Sequence, residues 1–255
     1  MAGLTGRKAL VTGGSRGIGA AIVRRLAADG ASVVINYRTS AEAAEALAAE
    51  LDGDGHRVRT AQADVGDPDA ARALVHRAAE EMGGLDILVS NAGIEHFGPL
   101  ASLTFADYQR VFDVNVAGQL FATQAAAAVM GEGGRIVLTS SVSARIAVFE
   151  HSLYAASKAA VSALALNLAP ELAARGIAVN VIAPGGTRSD MSAENGGHYI
   201  HPALRDLPPE TLSRISSAWG RFAEPEEIAA AVAFLVSPDA SYITGSTLAV
   251  DGCRM

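Results

Sequence analysis

The chain has 255 residues, half of them hydrophobic, and a formal net charge of −7. That length suits one large α/β domain or two small ones, and the acidic balance argues against a nucleic-acid backbone as partner. Cys253 is the only cysteine, which excludes an intrachain disulfide and makes a cytoplasmic setting the expected one.

The opening residues, Met1 to Lys8, lead into a strand without the charged start and long apolar core of a secretory leader. The Ala-rich run 122–130 is interrupted by Thr123 and Gln124 and is too short to span a bilayer, so no membrane association is expected. Short apolar or β-branched runs at 9–11, 32–36, 58–61, 86–90, 135–139, 178–182 and 247–250 read as strands. Helical stretches at 18–29, 41–51, 68–82, 104–130, 153–175 and 225–237 fall between them. Most strand candidates are continuously apolar, as in a parallel sheet buried on both faces. Strand–helix alternation of this kind predicts an α/β, Rossmann-type doubly wound parallel sheet with helices on both faces, one domain over 1–255.

One irregular stretch stands out, 184–222, with Gly185, Gly186, Gly196, Gly197, Pro202, Pro208 and Pro209. A connection that long in a compact domain is usually functional, and it reads as a substrate lid holding short helices. Met191, Tyr199, Ile200, Leu204, Leu207 and Trp219 give it more apolar material than a disordered insertion carries.

The first strand ends in Thr12-Gly13-Gly14-Ser15-Arg16-Gly17-Ile18-Gly19, and a helix follows. Glycines let the backbone turn sharply and approach a pyrophosphate, which sits among the free N–H groups of a helix N-terminus. The spacing is Gly-x-x-x-Gly-x-Gly, and its place between the first strand and first helix makes it a cofactor-site signal. A site that prefers NAD carries Asp or Glu about twenty residues beyond the glycines. Here no acid occurs after the second strand until Glu42, and Arg38 stands where it can meet a 2′-phosphate, with Arg16 approaching from the glycine loop. NADP(H) is the expected cofactor. Asp64-Val65 follows the third strand, where the carboxylate can accept from an adenine amine or cap the next helix. Asn91-Ala92-Gly93 ends the fourth strand, near the crevice expected at the carboxyl ends of the strands; alone, it is also an ordinary turn.

Tyr154 and Lys158 stand four apart in an Ala-rich run, on one face of a helix. An ammonium near a phenol favours the phenolate and is expected to pull its pKa down from about 10 toward the working range. Ser141 lies just past the fifth strand, where its hydroxyl can hold a substrate oxygen. A Tyr-x-x-x-Lys pair by itself also fits a solvated helix face. The six histidines (His56, His76, His96, His151, His198, His201) show no convincing cluster, so no metal site is expected, although His96 and His151 can border the pocket.

Taken together, the Thr-Gly-x-x-x-Gly-x-Gly loop, Asn91-Ala92-Gly93, Asn115 in Asn-Val-Ala-Gly, Ser141, Tyr154-x-x-x-Lys158 and Pro184-Gly185 resemble the short-chain dehydrogenase/reductases in order and spacing, over essentially the whole chain. The resemblance implies that Tyr154 is the general acid in carbonyl reduction, that Ser141 orients the carbonyl, and that Lys158 binds the nicotinamide ribose. It implies that Asn115 holds a water in a proton relay to Lys158 and that Thr187 touches the nicotinamide carboxamide. It also implies a homotetramer (or homodimer) built through the two long helices, whose small residues, such as Ala125 to Ala128, would suit close packing.

The run Pro184 to Met191, the Tyr199/Trp219 lid and the terminal Met255 resemble the polyhydroxynaphthalene reductase branch, which implies an aromatic or polyketide-derived ketone as substrate. Met191, Tyr199 and Trp219 are the candidate apolar pocket, since Met adapts its shape and flat rings stack; Trp219 fits anchoring of the last helix equally. The main alternative is a 3-oxoacyl-carrier-protein reductase. Its acidic partner would want a basic rim, whereas Gly131-Glu132-Gly133 follows the long helix and only Arg175 lies nearby. A sugar or simple alcohol dehydrogenase and a non-catalytic dinucleotide sensor are weaker alternatives, the last because both Tyr154 and Lys158 are present.

Overall fold

The protein is described from a computed structural model covering residues 3–253. Met255, part of the polyhydroxynaphthalene reductase resemblance, lies outside the described residues.

Seven strands form one sheet: β1 (Lys8–Thr12), β2 (Ser32–Tyr37), β3 (Val58–Gln62), β4 (Ile87–Ser90), β5 (Arg135–Thr139), β6 (Ala178–Pro184) and β7 (Thr247–Val250). Their order is β3-β2-β1-β4-β5-β6-β7, and each neighbouring pair is parallel. This is the doubly wound sheet expected from the strand–helix alternation. Successive side chains of a strand face opposite ways, which explains the continuous apolar runs. Ala9, Val11, Val33, Ile35, Ile87 and Val89 pack on one face with α1 (Gly17–Ala28) and α9 (Pro225–Val236). Leu10, Val34, Leu88, Ile136 and Leu138 pack on the other with α3 (Pro68–Met82), α5 (Gly118–Val129) and α6 (Ser152–Ala173). Helix α2 (Ala41–Gly53) covers the β2–β3 end through Ala44, Leu47 and Leu51.

The stretch expected as one helix over 104–130 has a different interior. Helix α4 (Phe105–Phe112) passes through a π-helical turn, Asp113–Ala117, into α5. Its start is fixed by a capping box in which the Thr104 hydroxyl and the Asp107 carboxylate bond each other's backbone amides. Beyond the π turn, Gly118 lets the helix lie on the chain after β3, because a Cβ there would stand 2.7 Å from the Val65 carbonyl oxygen. The turn carries buried Asn115, as π turns often carry functional side chains.

The irregular stretch folds into α7 (Asp190–Asn195), 3-10 turns at Gly196–Tyr199 and Pro202–Leu204, and α8 (Pro209–Ser216). No described helix is long and apolar enough to cross a membrane.

Candidate active site

The strand order reverses between β1 and β4, which opens a crevice at their carboxyl ends. Both walls are pinned there by short polar links. The Thr12 hydroxyl accepts from the amides of Asn91 (3.0 Å) and Ala92 (3.1 Å), and Asn91 Nδ2 donates to the carbonyls of Thr12 and Gly13, both at 3.2 Å. Gly13 takes a φ of +61°, and a Cβ on it would stand 2.9 Å from Ala92 Cα. Gly19 meets a harder limit: its Cβ would lie 2.1 Å from the Gly13 carbonyl oxygen. The loop therefore folds flat onto the β1 end, and α1 starts at Gly17 with no side chain capping it. Uncapped first-turn amides are donors for an anion, so Gly17, Ile18 and Gly19, with Ser15 in the loop before them, form a cradle that fits a dinucleotide pyrophosphate, while the Gly13 amide donates to Asn36 Oδ1 at 3.3 Å.

The two arginines expected to read a 2′-phosphate are in contact with carboxylates. Arg38 Nη1 lies 3.7 Å from Asp64, and Arg16 Nη1 lies 3.5 Å from Asp190 and 3.7 Å from Glu194 on α7. Asp64 also accepts from the Gly66 amide at 2.9 Å. Val65 turns its side chain into the core rather than the crevice.

At the β5 end, Ser140 and Ser141 meet α6. The Ser140 hydroxyl donates to the Lys158 carbonyl (2.6 Å) and accepts from Ser162 (3.0 Å), which fixes the helix against the strand. Ser141 is extended, and its oxygen accepts from the Ser143 amide at 3.1 Å. Lys158, 2% exposed, donates from Nζ to the Thr139 carbonyl at 2.9 Å. Gln119 clamps the same residue, bonding both Thr139 backbone groups and the Asn115 carbonyl. Asn115 spends its side chain on Ile94, accepting from its amide and donating to its carbonyl, and donates again to Ser157. Gly93 passes close to this pair, since a Cβ on it would stand 3.1 Å from Lys158 Nζ and 3.2 Å from Asn115 Oδ1.

The electrostatics differ from the sequence expectation. Burial first, and then the Glu95 carboxylate, push the Tyr154 phenol up, while a hydrogen bond with Ser141 opposes them. Lys158 does not reverse this: its Nζ lies 5.5 Å from the ring centroid and is engaged by Thr139. Burial lowers the lysine to about 8, against the opposing pull of Glu95.

Glu95 organises this corner. One carboxylate oxygen is 2.5 Å from His151 Nε2, and the other accepts from the Tyr199 hydroxyl at 2.5 Å. The His151 ring stacks between Tyr154 (4.5 Å) and Phe97 (4.2 Å), and Tyr199 meets Phe97 edge-on.

A family model described as enoyl-(acyl carrier protein) reductase matches residues 13–253. The chain is 42% identical over 254 residues to versicolorin reductase of Emericella nidulans, covering 98% of this chain and 96% of the relative. It is 40% identical over 253 residues to a hydroxynaphthalene reductase-like protein of Metarhizium robertsii, covering 98% and 95%. The chain belongs to the short-chain dehydrogenase/reductase family. It is an oxidoreductase of that family. Its fold matches that of a Burkholderia cenocepacia short chain dehydrogenase solved in complex with NADP, with TM-score 0.88, 48% identity and 98% of each chain covered.

On this dehydrogenase/reductase scaffold, Ser141, Tyr154, Lys158 and Asn115 converge at one end of the sheet, beside the glycine loop. Thr187, past the Pro184-Gly185 end of β6, is buried and turns its hydroxyl to the Gly185 carbonyl at 3.1 Å. The three candidate pocket residues differ in setting. Tyr199 reaches Glu95 and Met191 lies half-buried on α7, but Trp219 is 74% exposed, with the Arg221 guanidinium over its ring. Trp219 therefore forms neither a closed pocket wall nor a buried anchor for the last helix. His151 does border the site, whereas His96 turns to Asp107 at 3.4 Å. Glu95, Phe97 and Gln119 were missed by sequence reasoning. Only the position of Glu95, two residues after Asn91-Ala92-Gly93, hinted at it.

Proposed function

We propose that this NADP(H)-dependent oxidoreductase reduces an aromatic or polyketide-derived ketone, with Tyr154 as the proton donor. The observation that carries the reading is the convergence of the Tyr154 phenol, the Ser141 hydroxyl and the Lys158 ammonium beside the glycine cradle. When bound, the cofactor supplies the hydride. Ser141 holds the carbonyl oxygen, and Tyr154 gives that oxygen its proton, consistent with a phenol that its surroundings keep protonated. Lys158 binds the nicotinamide ribose, and Arg38 and Arg16 turn from their carboxylates to the 2′-phosphate.

The relatives named versicolorin reductase and hydroxynaphthalene reductase-like protein support the substrate class, as does the run of stacked rings Phe97, His151 and Tyr154. Exposed apolar side chains at Leu100, Phe105 and Leu166 support assembly through α4 and α6. The test is NADPH oxidation with a tetralone and an acetoacetyl thioester side by side. Preference for the bicyclic ketone is expected; preference for the thioester would move the enzyme to acyl-chain reduction. Tyr154→Phe should abolish turnover while leaving NADPH binding nearly intact, and near-normal rates would remove Tyr154 from the mechanism.

A further inference from the structure

Glu95 keeps only 8% of its side chain exposed, and the proposed chemistry gives it no task. A carboxylate only accepts hydrogen bonds, and a buried one needs donors on its oxygens. Its two donors, His151 and Tyr199, differ in how firmly they are held. The His151 side chain has no exposed surface and is stacked between Phe97 and Tyr154, so its Nε2 is a fixed partner. Tyr199 belongs to the lid, where no residue from 188 to 216 is buried. Among the described residues, its bond to Glu95 is the one hydrogen bond from 196–216 to any residue before 184. The Tyr199 hydroxyl is therefore the partner that can be exchanged.

The acceptor itself is anchored independently of the lid. Ile94, the residue before Glu95, is bonded on both backbone groups by the Asn115 side chain, which also donates to Ser157. Ser157 in turn donates to the Tyr154 carbonyl at 2.7 Å. One chain of polar contacts thus ties Glu95 to the turn of α6 that carries Tyr154. What Tyr199 presents to this acceptor is an aromatic hydroxyl, with its ring edge-on to Phe97 at 5.2 Å. A phenol on the substrate offers the same donor on the same flat ring. We infer that Glu95 is a specificity-determining residue that accepts a hydrogen bond from a phenolic hydroxyl of the substrate, which takes the place of Tyr199. The inference rests on the reading of this crevice as a ketone site, and it narrows the substrate to a ketone bearing a phenol. Because one phenol replaces another on the carboxylate, the preference over a methyl ether, which cannot donate, should be about tenfold.

The experiment is calorimetric titration of the enzyme loaded with oxidised NADP, so that no reduction occurs. The ligands are tetralones carrying a phenolic hydroxyl at each aromatic ring position in turn, each beside its methyl ether. At least one hydroxytetralone should bind wild type about tenfold more tightly than its ether. Tyr199→Phe removes the competing donor and leaves the acceptor open, so that ratio should rise by about another tenfold. Glu95→Gln withdraws the charge, so the ratio should fall toward one. The two variants break the same bond, and a contact that merely held the lid would shift the ratio alike in both. Opposite shifts support the inference; like shifts, an unmoved ratio, or no hydroxytetralone bound better than its ether, overturn it. Should Glu95→Gln not fold, Tyr199→Phe decides alone: a risen ratio supports the inference and an unmoved one overturns it. The titration involves no turnover, so it still reads Glu95 if the functional reading fails because Tyr154→Phe keeps its activity.

Discussion

Burying the Lys158 ammonium where its hydrogen bond goes to a single carbonyl lowers its pKa to about 8 from 10.5 in an open chain. Between those values the unfolded chain holds a proton that the folded protein has lost, so this group's contribution to stability rises with pH across that window. Below pH 8 the whole penalty applies, and it amounts to about 3 kcal/mol at most. Lys158→Met should therefore lose turnover yet resist urea better than wild type at pH 7, with the difference shrinking as pH climbs from 8 to 10.5. Thr139 keeps a partner for its carbonyl in Gln119, so the variant leaves no bare acceptor; a variant less stable than wild type at pH 7 would refute the argument. Arg38 is a second residue with a defined test. Its contact with Asp64 is long and solvated, a kind of pair worth little, so a phosphate can compete for it. Arg38→Asp should raise the KM for NADPH about tenfold or more and favour NADH, and an unchanged cofactor ratio would exclude Arg38 from reading the phosphate. The glycine loop and the Tyr154–Lys158 pair were legible in the sequence because their geometry is local, set by turn chemistry and helix pitch. Glu95 was not, since its partners stand 56 and 104 residues away in the chain, and no local pattern records such contacts.

Elements carry the next level of control. The helix expected over 104–130 was legible as a helix, but its π turn was not: the sequence shows only helix-compatible residues there. At the turn Asn115 bonds across to Ile94 and Ser157 while Gly118 lies against Val65, all contacts between segments far apart in the chain. The short helices within 184–222 were foreseen, yet the ties of α7 to the glycine loop were not. Ser189 Cβ lies 3.4 Å from where a Cβ on Gly17 would be, and Asp190 and Glu194 hold Arg16. Those ion pairs compete with any phosphate that needs the same guanidinium. Asp190→Asn with Glu194→Gln should thus release Arg16 and tighten NADPH binding. Each exposed pair contributes up to about 1 kcal/mol, so with both removed the gain in Kd should be no more than about thirtyfold. Calorimetric titration with NADPH checks this, and weaker binding in the double variant would mean that α7 carboxylates help to build the site instead.

At the scale of the whole molecule, the sheet order follows from alternating strands and helices, and apolar runs on both faces of β1, β2, β4 and β5 leave each face to be covered by helices. That much the sequence states directly, because burial on both faces erases the period-two pattern. What it states only through resemblance is assembly. Helices α4 and α6 and the 3-10 turn before α4 leave large apolar side chains in water: Phe105 is 70% exposed, Leu166 61% and Leu100 86%. Phe105 opens α4 and Leu166 lies on α6, two helices that touch. Single exposed apolar residues are ordinary, but a set of them on two touching helices fits a surface that another protein surface covers, and here the occupant argued for is a second copy of this chain. A charge placed at such a contact must be desolvated without a partner, which costs several kcal/mol. Phe105→Glu combined with Leu166→Glu should therefore lower the mass seen by sedimentation equilibrium, while circular dichroism stays that of the folded protein, since neither side chain belongs to the core. An unchanged mass in the double variant would place the assembly surface elsewhere or leave the chain a monomer, and the wild-type mass measured in the same run separates those two results.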